Sequence, residues 1–201
     1  MSVLVGRPAP DFTAPAVLGT GEIVDSFNFK EATKGKKAVV FFYPMDFTFV
    51  CPSEIIAFDH RLAEFNKRGV EVIGVSIDSQ FTHNAWRNTA TKDGGIGAVK
   101  FPLIADVKHE ICQAYDVEHP EAGVAFRGSF LIDEDGVVRH QVVNDLPLGR
   151  NIDEMLRMVD ALAFHQENGE VCPAQWESGK KGMKESPDGV AAYLSENADS
   201  L

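Results

Sequence analysis

Apolar and polar positions alternate along this chain in blocks whose lengths suit strands and helices by turn. Lys37 to Tyr43, KAVVFFY, is a β-branched and aromatic run short enough for a buried strand, and it stops at Pro44. From Pro52 the apolar residues Ile55, Phe58, Leu62 and Phe65 recur at helical spacing, with Gly69 as the C-terminal stop. Val70 to Ile77 predicts a second buried strand, a stretch from about Thr82 to Thr91 a polar helix carrying Trp86, Phe101 to Ala105 a strand, and Lys108 to Tyr115 a short helix. Gly128 to Ile132 and Val137 to Val143 flank Asp133-Glu134-Asp135-Gly136 as an antiparallel hairpin. Ile152 to Phe164 returns as an amphipathic helix through Met155, Leu156, Val159 and Leu162. The first residues, with Pro8, Pro10 and Pro15, read as an entry segment.

This order of elements is a thioredoxin-like layout: an α/β fold with a central mixed sheet flanked by helices. From Gly169 onward, small, polar and charged residues surround isolated anchors such as Trp176 and Tyr193, which predicts a domain over 1–168 and a C-terminal arm over 169–201. With 201 residues and 44% hydrophobic content, the chain can bury a full core without disulfides or metals. Its net charge of −11, with Lys and Arg only in short knots (Lys34 to Lys37, Lys180-Lys181), argues against a nucleic-acid partner. No apolar stretch approaches membrane-spanning length, and Met1 to Pro10 lacks the charged and apolar regions of a signal peptide, so a cytoplasmic protein is expected.

The candidate chemistry lies in three cysteines, Cys51, Cys112 and Cys172, an odd count that suits no permanent disulfide framework. Cys51 stands at a strand-to-helix junction. Pro52 has a preset φ and no N–H, which suits the first helical position and puts Cys51 at or beside the N-cap, where free amides and the helix dipole favour an anion. A helix end contributes only roughly 0.3–2 kcal/mol, too little to ionise an ordinary thiol fully, so a neighbouring cation is required as well. Arg127, opening the strand RGSFLI, is the candidate, and Thr48, three residues before Cys51, can hydrogen-bond at the same centre.

The string FFYPMDFTFVCPSE resembles the P-x-x-x-T-x-x-C-P signature of typical two-cysteine peroxiredoxins, the alkyl hydroperoxide reductase C group. The likeness extends through FTHNAWR at Phe81 to Arg87, the Arg127 strand, and GEVCPAQW at Gly169 to Trp176. It implies a thiol peroxidase for hydrogen peroxide and organic hydroperoxides. Cys51 would attack the O–O bond and become a sulfenic acid, Thr48 and Arg127 would polarise the peroxide, Pro44 would shield the product from water, and Glu54 would orient the arginine. Cys172 of the partner subunit would then close a disulfide, which an external dithiol reductant, a thioredoxin or a dedicated flavoprotein, reopens. The scheme requires the first helical turn to unfold locally. Gly94-Gly95-Ile96-Gly97 resembles the family's glycine motif for sensitivity to overoxidation, whereas its usual Tyr-Phe partner stands here as Tyr193-Leu194, so intermediate sensitivity is expected.

A disulfide oxidoreductase needs C-x-x-C, but Glu54 stands where the second thiol would be. A redox-regulated holdase or peroxide sensor is the alternative from another class. Cys112, between Ile111 and Tyr115 with no catalytic neighbour, reads as a core cysteine. The six histidines include no H-E-x-x-H and no cysteine/histidine cluster, so neither a metal nor another cofactor is expected. Val137 to Val143 is a plausible self-pairing edge. The resemblance implies a homodimer built there and a decamer of dimers contacting near Phe81-Thr82-His83.

Overall fold

The computed structural model describes residues 3–201; Met1 and Ser2, where the signal-peptide reading begins, lie outside the described residues. Among the described residues seven strands form one mixed sheet: β1 (Thr13–Val17), β2 (Ile23–Asn28), β3 (Lys37–Phe42), β4 (Val70–Ser76), β5 (Leu103–Ala105), β6 (Arg127–Ile132) and β7 (Val138–Asn144), in the order β2-β1-β5-β4-β3-β6-β7. β3, β4 and β5 run parallel, while the outer pairings are antiparallel. The helices are α1 (Phe29–Ala32), α2 (Cys51–Lys67), α3 (Gln80–Asn88), α4 (Glu110–Ala114), α5 (Ile152–Asn168) and α6 (Pro187–Asn197). The core gathers on the central strands, where Val39, Val40, Phe41 and Phe42 of β3 are fully buried, and Phe41 stacks on Phe58 of α2 at 4.2 Å between ring centroids.

The predicted β3, α2, β4 and β6–β7 hairpin are present within a residue or so at their ends, and Gly69 ends α2 with φ of 68°. Three differences have local causes. α3 begins at Gln80 because the Ser79 hydroxyl accepts from the Thr82 amide at 3.2 Å and caps it there. β5 begins only at Leu103, since Pro102 has no N–H to contribute to a ladder. The entry segment, in turn, contains β1, β2 and α1, with the Asn28 side chain accepting from the Glu31 amide to start α1.

The chain divides into two compact units, Met1–Ile152 and Asp153–Leu201. The first holds the sheet. In the second, Trp176 packs on Phe164 of α5 at 5.0 Å, donates from Nε1 to the Lys180 carbonyl at 3.2 Å, and receives Arg157 Nη1 on its own carbonyl at 2.8 Å. Val171 and Met183 exchange backbone hydrogen bonds. α6 starts at Pro187 with the Ser186 hydroxyl accepting from the Gly189 amide at 3.1 Å. Cys172 lies in this unit, half-buried, its Sγ 3.4 Å from the Ala161 carbonyl; burial pushes its thiol pKa up while Arg157 pulls the other way.

The glycine motif docks on α3. Trp86 Nε1 donates to the Gly94 carbonyl at 2.8 Å, and the Gly95 amide donates to Ala90 at 3.0 Å. A Cβ at position 95 would sit 1.9 Å from the Thr89 carbonyl oxygen. Gly95→Ala is therefore expected to cost about 1–3 kcal/mol, read as a lowered denaturation midpoint; an unchanged midpoint would show that the segment relaxes freely.

Candidate active site

Strand β3 ends in the middle of the sheet, and the chain leaves it through Tyr43 to Val50 before entering α2. Cys51 is the first residue of α2, with Pro52 next. Val50 is the N-cap, in right-handed helical backbone, and no side chain caps the helix. The amides of this opening turn thus have no side-chain acceptor of the usual kind, the Ser53 amide turning back to the Val50 carbonyl at 3.1 Å, and the positive end of the helix dipole falls where Cys51 stands.

Cys51 is fully buried. Its Sγ lies 3.0 Å from Thr48 Oγ1 and 3.4 Å from Arg127 Nη1. Thr48 Oγ1 also lies 2.8 Å from the Met45 carbonyl, so its single proton serves one acceptor at a time: toward Cys51 when the sulfur is an anion, toward Met45 when the thiol itself donates. Arg127 reaches across from β6. Its Nε donates to the Leu146 carbonyl at 2.7 Å, and Nη1 is shared between the sulfur and Glu54 Oε2, the latter at 2.7 Å. Glu54, one turn into α2 and equally buried, also accepts from Arg150: backbone N at 3.0 Å and Nε at 2.8 Å on Oε1, Nη2 at 3.0 Å on Oε2.

Arg150 escaped the sequence reading. Its side chain is 3% exposed, and Nη1 donates to the carbonyls of Phe42 and Gly128, each at 2.8 Å, and to Ser129 Oγ at 3.1 Å, while the guanidinium lies 5.2 Å from the centroid of the Phe41 ring. Burial lowers its pKa, Glu54 opposing, yet a guanidinium keeps its proton at any working pH. The buried cluster therefore holds two guanidinium charges against one carboxylate, and an anionic sulfur at Cys51 would complete the balance.

The loop between β3 and α2 has its own anchor, also unread in the sequence. Tyr43 Oη donates to Asp46 Oδ1 at 2.9 Å, His83 Nδ1 meets Asp46 Oδ2 at 2.7 Å, and the Asp46 amide donates to Asp78 at 2.8 Å. Burial raises the Asp46 carboxyl pKa, with His83 opposing. His83 belongs to FTHNAWR, and the motif proves to be a set of tethers: His83 to the loop, Trp86 to Gly94, and Arg87 to the carbonyls of Val99 and Gly19 at 2.7 and 2.8 Å. Pro44 is buried at the loop's start. The structure thus brings Cys51, Thr48, Arg127 and Glu54 together in the first unit, while Cys172 belongs to the second.

A buried cysteine at a helix start, fixed by a threonine and an arginine, can act as a nucleophile toward a small electrophile whose leaving group needs positive charge. Residues 5–141 match the AhpC/TSA family, and residues 161–196 match the C-terminal domain of 1-Cys peroxiredoxin. Alkyl hydroperoxide reductase C from Buchnera aphidicola subsp. Schizaphis graminum is 58% identical over 191 residues, 95% of this chain and 96% of that one. The chain belongs to the AhpC/TSA family of peroxiredoxins. Alkyl hydroperoxide reductase C from Helicobacter pylori is 56% identical over 99% of this chain and the whole of that one. The reduced 2-Cys peroxiredoxin of Plasmodium vivax superposes with a TM-score of 0.93 at 46% identity, covering 96% of this chain and 100% of that one, which also bears out the thioredoxin-like layout. This peroxiredoxin is a thiol peroxidase, an enzyme that acts on hydroperoxides and draws on an external reductant. Its C-terminal match carries a one-cysteine label, but the matched segment contains Cys172, so a second thiol is present where a two-cysteine cycle would use one. Among the described residues no helix is long and apolar enough to cross a membrane.

Proposed function

We propose that Cys51 is the peroxidatic nucleophile and Cys172 of a partner subunit the resolving thiol. The single observation that carries the reading is the placing of Arg127 Nη1 and Thr48 Oγ1 on one sulfur, with Glu54 and Arg150 fixing the arginine from behind. The Cys51 sulfur, as thiolate, attacks one peroxide oxygen in line with the O–O bond. An S–O bond forms, the O–O bond breaks, and the departing oxygen, gaining charge, is met by the Arg127 guanidinium and takes up a proton to leave as water or an alcohol. Thr48 holds the incoming peroxide beside the sulfur, and buried Pro44 keeps bulk water from the sulfenic acid. Because that sulfenic acid is fully enclosed, condensation with Cys172 requires the first turn of α2 to open. The disulfide formed releases water, and a thioredoxin or a dedicated flavoprotein reduces it.

A homodimer through β7 fits its place at the edge of the sheet, where Gly6, Arg7 and Pro8 meet its beginning and the Leu4 amide donates to the Gln141 side chain at 2.7 Å. Assembly of dimers into a decamer is supported by the apolar groups left outside on the loop and α3: Phe49, 96% exposed, with Phe47, Met45 and Phe81. Non-reducing electrophoresis after one equivalent of peroxide tests the cycle. A covalent dimer is expected, absent in Cys51→Ser and in Cys172→Ser and retained in Cys112→Ser; a dimer that persists without Cys172 would assign resolution to another thiol.

A further inference from the structure

His109, Cys112 and Glu118 stand apart from everything the peroxidase reaction uses. His109 and Cys112 are three residues apart at the start of α4, so one helical turn sets them on the same side, and Glu118 comes up from the segment that follows. His109 Nδ1, Cys112 Sγ and a Glu118 carboxylate oxygen all lie within 4.8 Å of one another. His109 Nδ1 meets Glu118 Oε1 at 2.5 Å, and Cys112 Sγ lies 3.4 Å from the His109 carbonyl. The sequence reading found no cysteine/histidine cluster, but His109-x-x-Cys112 is one.

The backbone holds these three positions before any ligand arrives. The Val117 amide donates to the Cys112 carbonyl at 2.9 Å, Phe126 donates to Val117 at 2.7 Å, and Glu118 bridges to Ala125, which closes the segment between them. His109 is the N-cap of α4 with φ of 63°, yet its side chain makes no capping bond; Asp106 caps instead, accepting from the Ile111 and Cys112 amides at 3.0 and 2.8 Å. Gln113 Nε2 donates to Glu118 Oε2 at 2.8 Å, which orients the carboxylate and leaves Oε1 toward the histidine and the thiol. The His109 and Glu118 side chains are 28% and 24% exposed, so an ion has a way in, while Cys112 is buried at the inner side.

We infer that His109, Cys112 and Glu118 form a binding site for a borderline divalent cation of the zinc class. One imidazole nitrogen, one thiolate and one carboxylate oxygen are the donor set such an ion takes, with a water in the fourth tetrahedral position. Zn–N and Zn–O bonds are about 2.0–2.2 Å and Zn–S about 2.3 Å, so the ion displaces the His109–Glu118 hydrogen bond and, at a tetrahedral angle, spreads that pair by roughly 0.8 Å from its present 2.5 Å. His109 then carries its proton on Nε2. The Cys112 S–H bond breaks, a metal–sulfur bond forms, and the proton leaves to solvent. Burial and the neighbouring Asp106 and Glu118 hold the Cys112 thiol protonated in the empty protein, but a dication reverses that balance, because the acidic groups that repel a bare thiolate attract the ion. Occupancy would pin the start of α4 to the segment carrying Glu118.

Protein carrying Cys51→Ser and Cys172→Ser retains Cys112 as its sole thiol and is the material for the test. Titrated with Co²⁺, it is expected to develop a near-ultraviolet sulfur-to-cobalt charge-transfer band that saturates at one equivalent, releases a proton and is bleached by Zn²⁺. His109→Asn, which suits the left-handed backbone, and Glu118→Gln, which keeps the side chain's size, should each weaken binding on the order of tenfold or more. No band, or a band indifferent to both substitutions, overturns the site. Neither outcome touches the assignment of Cys51 and Cys172, which this protein lacks.

Discussion

Replacing Cys51 with serine is expected to abolish peroxide reduction, a loss of roughly four orders of magnitude or more, with little change in the denaturation midpoint. Serine keeps the shape and can still receive from Thr48 and Arg127 in the enclosed position, so the packing around the start of α2 stays intact. What goes is the reacting atom. An alkoxide is not available at neutral pH, and a hydroxyl is a poor nucleophile toward an O–O bond. Loss of peroxide consumption in a coupled assay, with an unchanged melting curve, is the signature. Turnover retained at even a tenth of the parent rate would move the chemistry to another residue.

The second large effect falls on stability. Glu54 is the carboxylate between Arg127 and Arg150, accepting from both through distances of 2.7 to 3.0 Å while buried. Glu54→Gln keeps the volume and removes the charge, leaving two enclosed guanidinium groups facing one another. Breaking a buried ion pair by removing one partner costs about 3–5 kcal/mol, and that is the expected drop in unfolding free energy from denaturant melts. A second measurement separates position from charge: Arg127 loses the group that fixes its Nη1, so the rate of the first peroxide reaction should fall as well. A variant as stable as the parent would mean that the pair is solvated or that Cys51 alone balances both cations.

How much of this was legible in the sequence depended on whether the signal was local. β3, α2 and β4 were readable because a fully buried strand and an amphipathic helix each write their pattern within a few residues, and Gly69 marks the boundary between them. β1 and β2 were not, since TAPAV contains a proline, the register between the two strands shifts after Ala14, and β2 is largely half-exposed or exposed, so neither presents a continuous apolar run. Within the site, Cys51, Thr48 and Glu54 sit in one short string, and Arg127 opens a strand that the resemblance had already marked. Asp46 and His83 both lie in strings that the resemblance marks, but nothing in either string says that the two pair, and Arg150 carries no mark at all. Arg150 and Asp46 each work through a partner 37 or more residues away, Glu54 for one and the far helix for the other, and a lone arginine after Gly149 looks like any surface residue until the carboxylate it serves is seen buried.

The start of α2 has one more implication. Val50 offers no cap, so Cys51, the first residue of that helix, is fastened through its sulfur, by Arg127 and Thr48, while Glu54 further along the turn is tied to Arg127 and Arg150. The fastenings on the sulfur are strongest while it bears charge and lose about half their strength once it becomes a neutral sulfenic acid. Turnover thus slackens its own latch: the helix frays most readily in the interval after the oxygen has been captured, when the second thiol needs access.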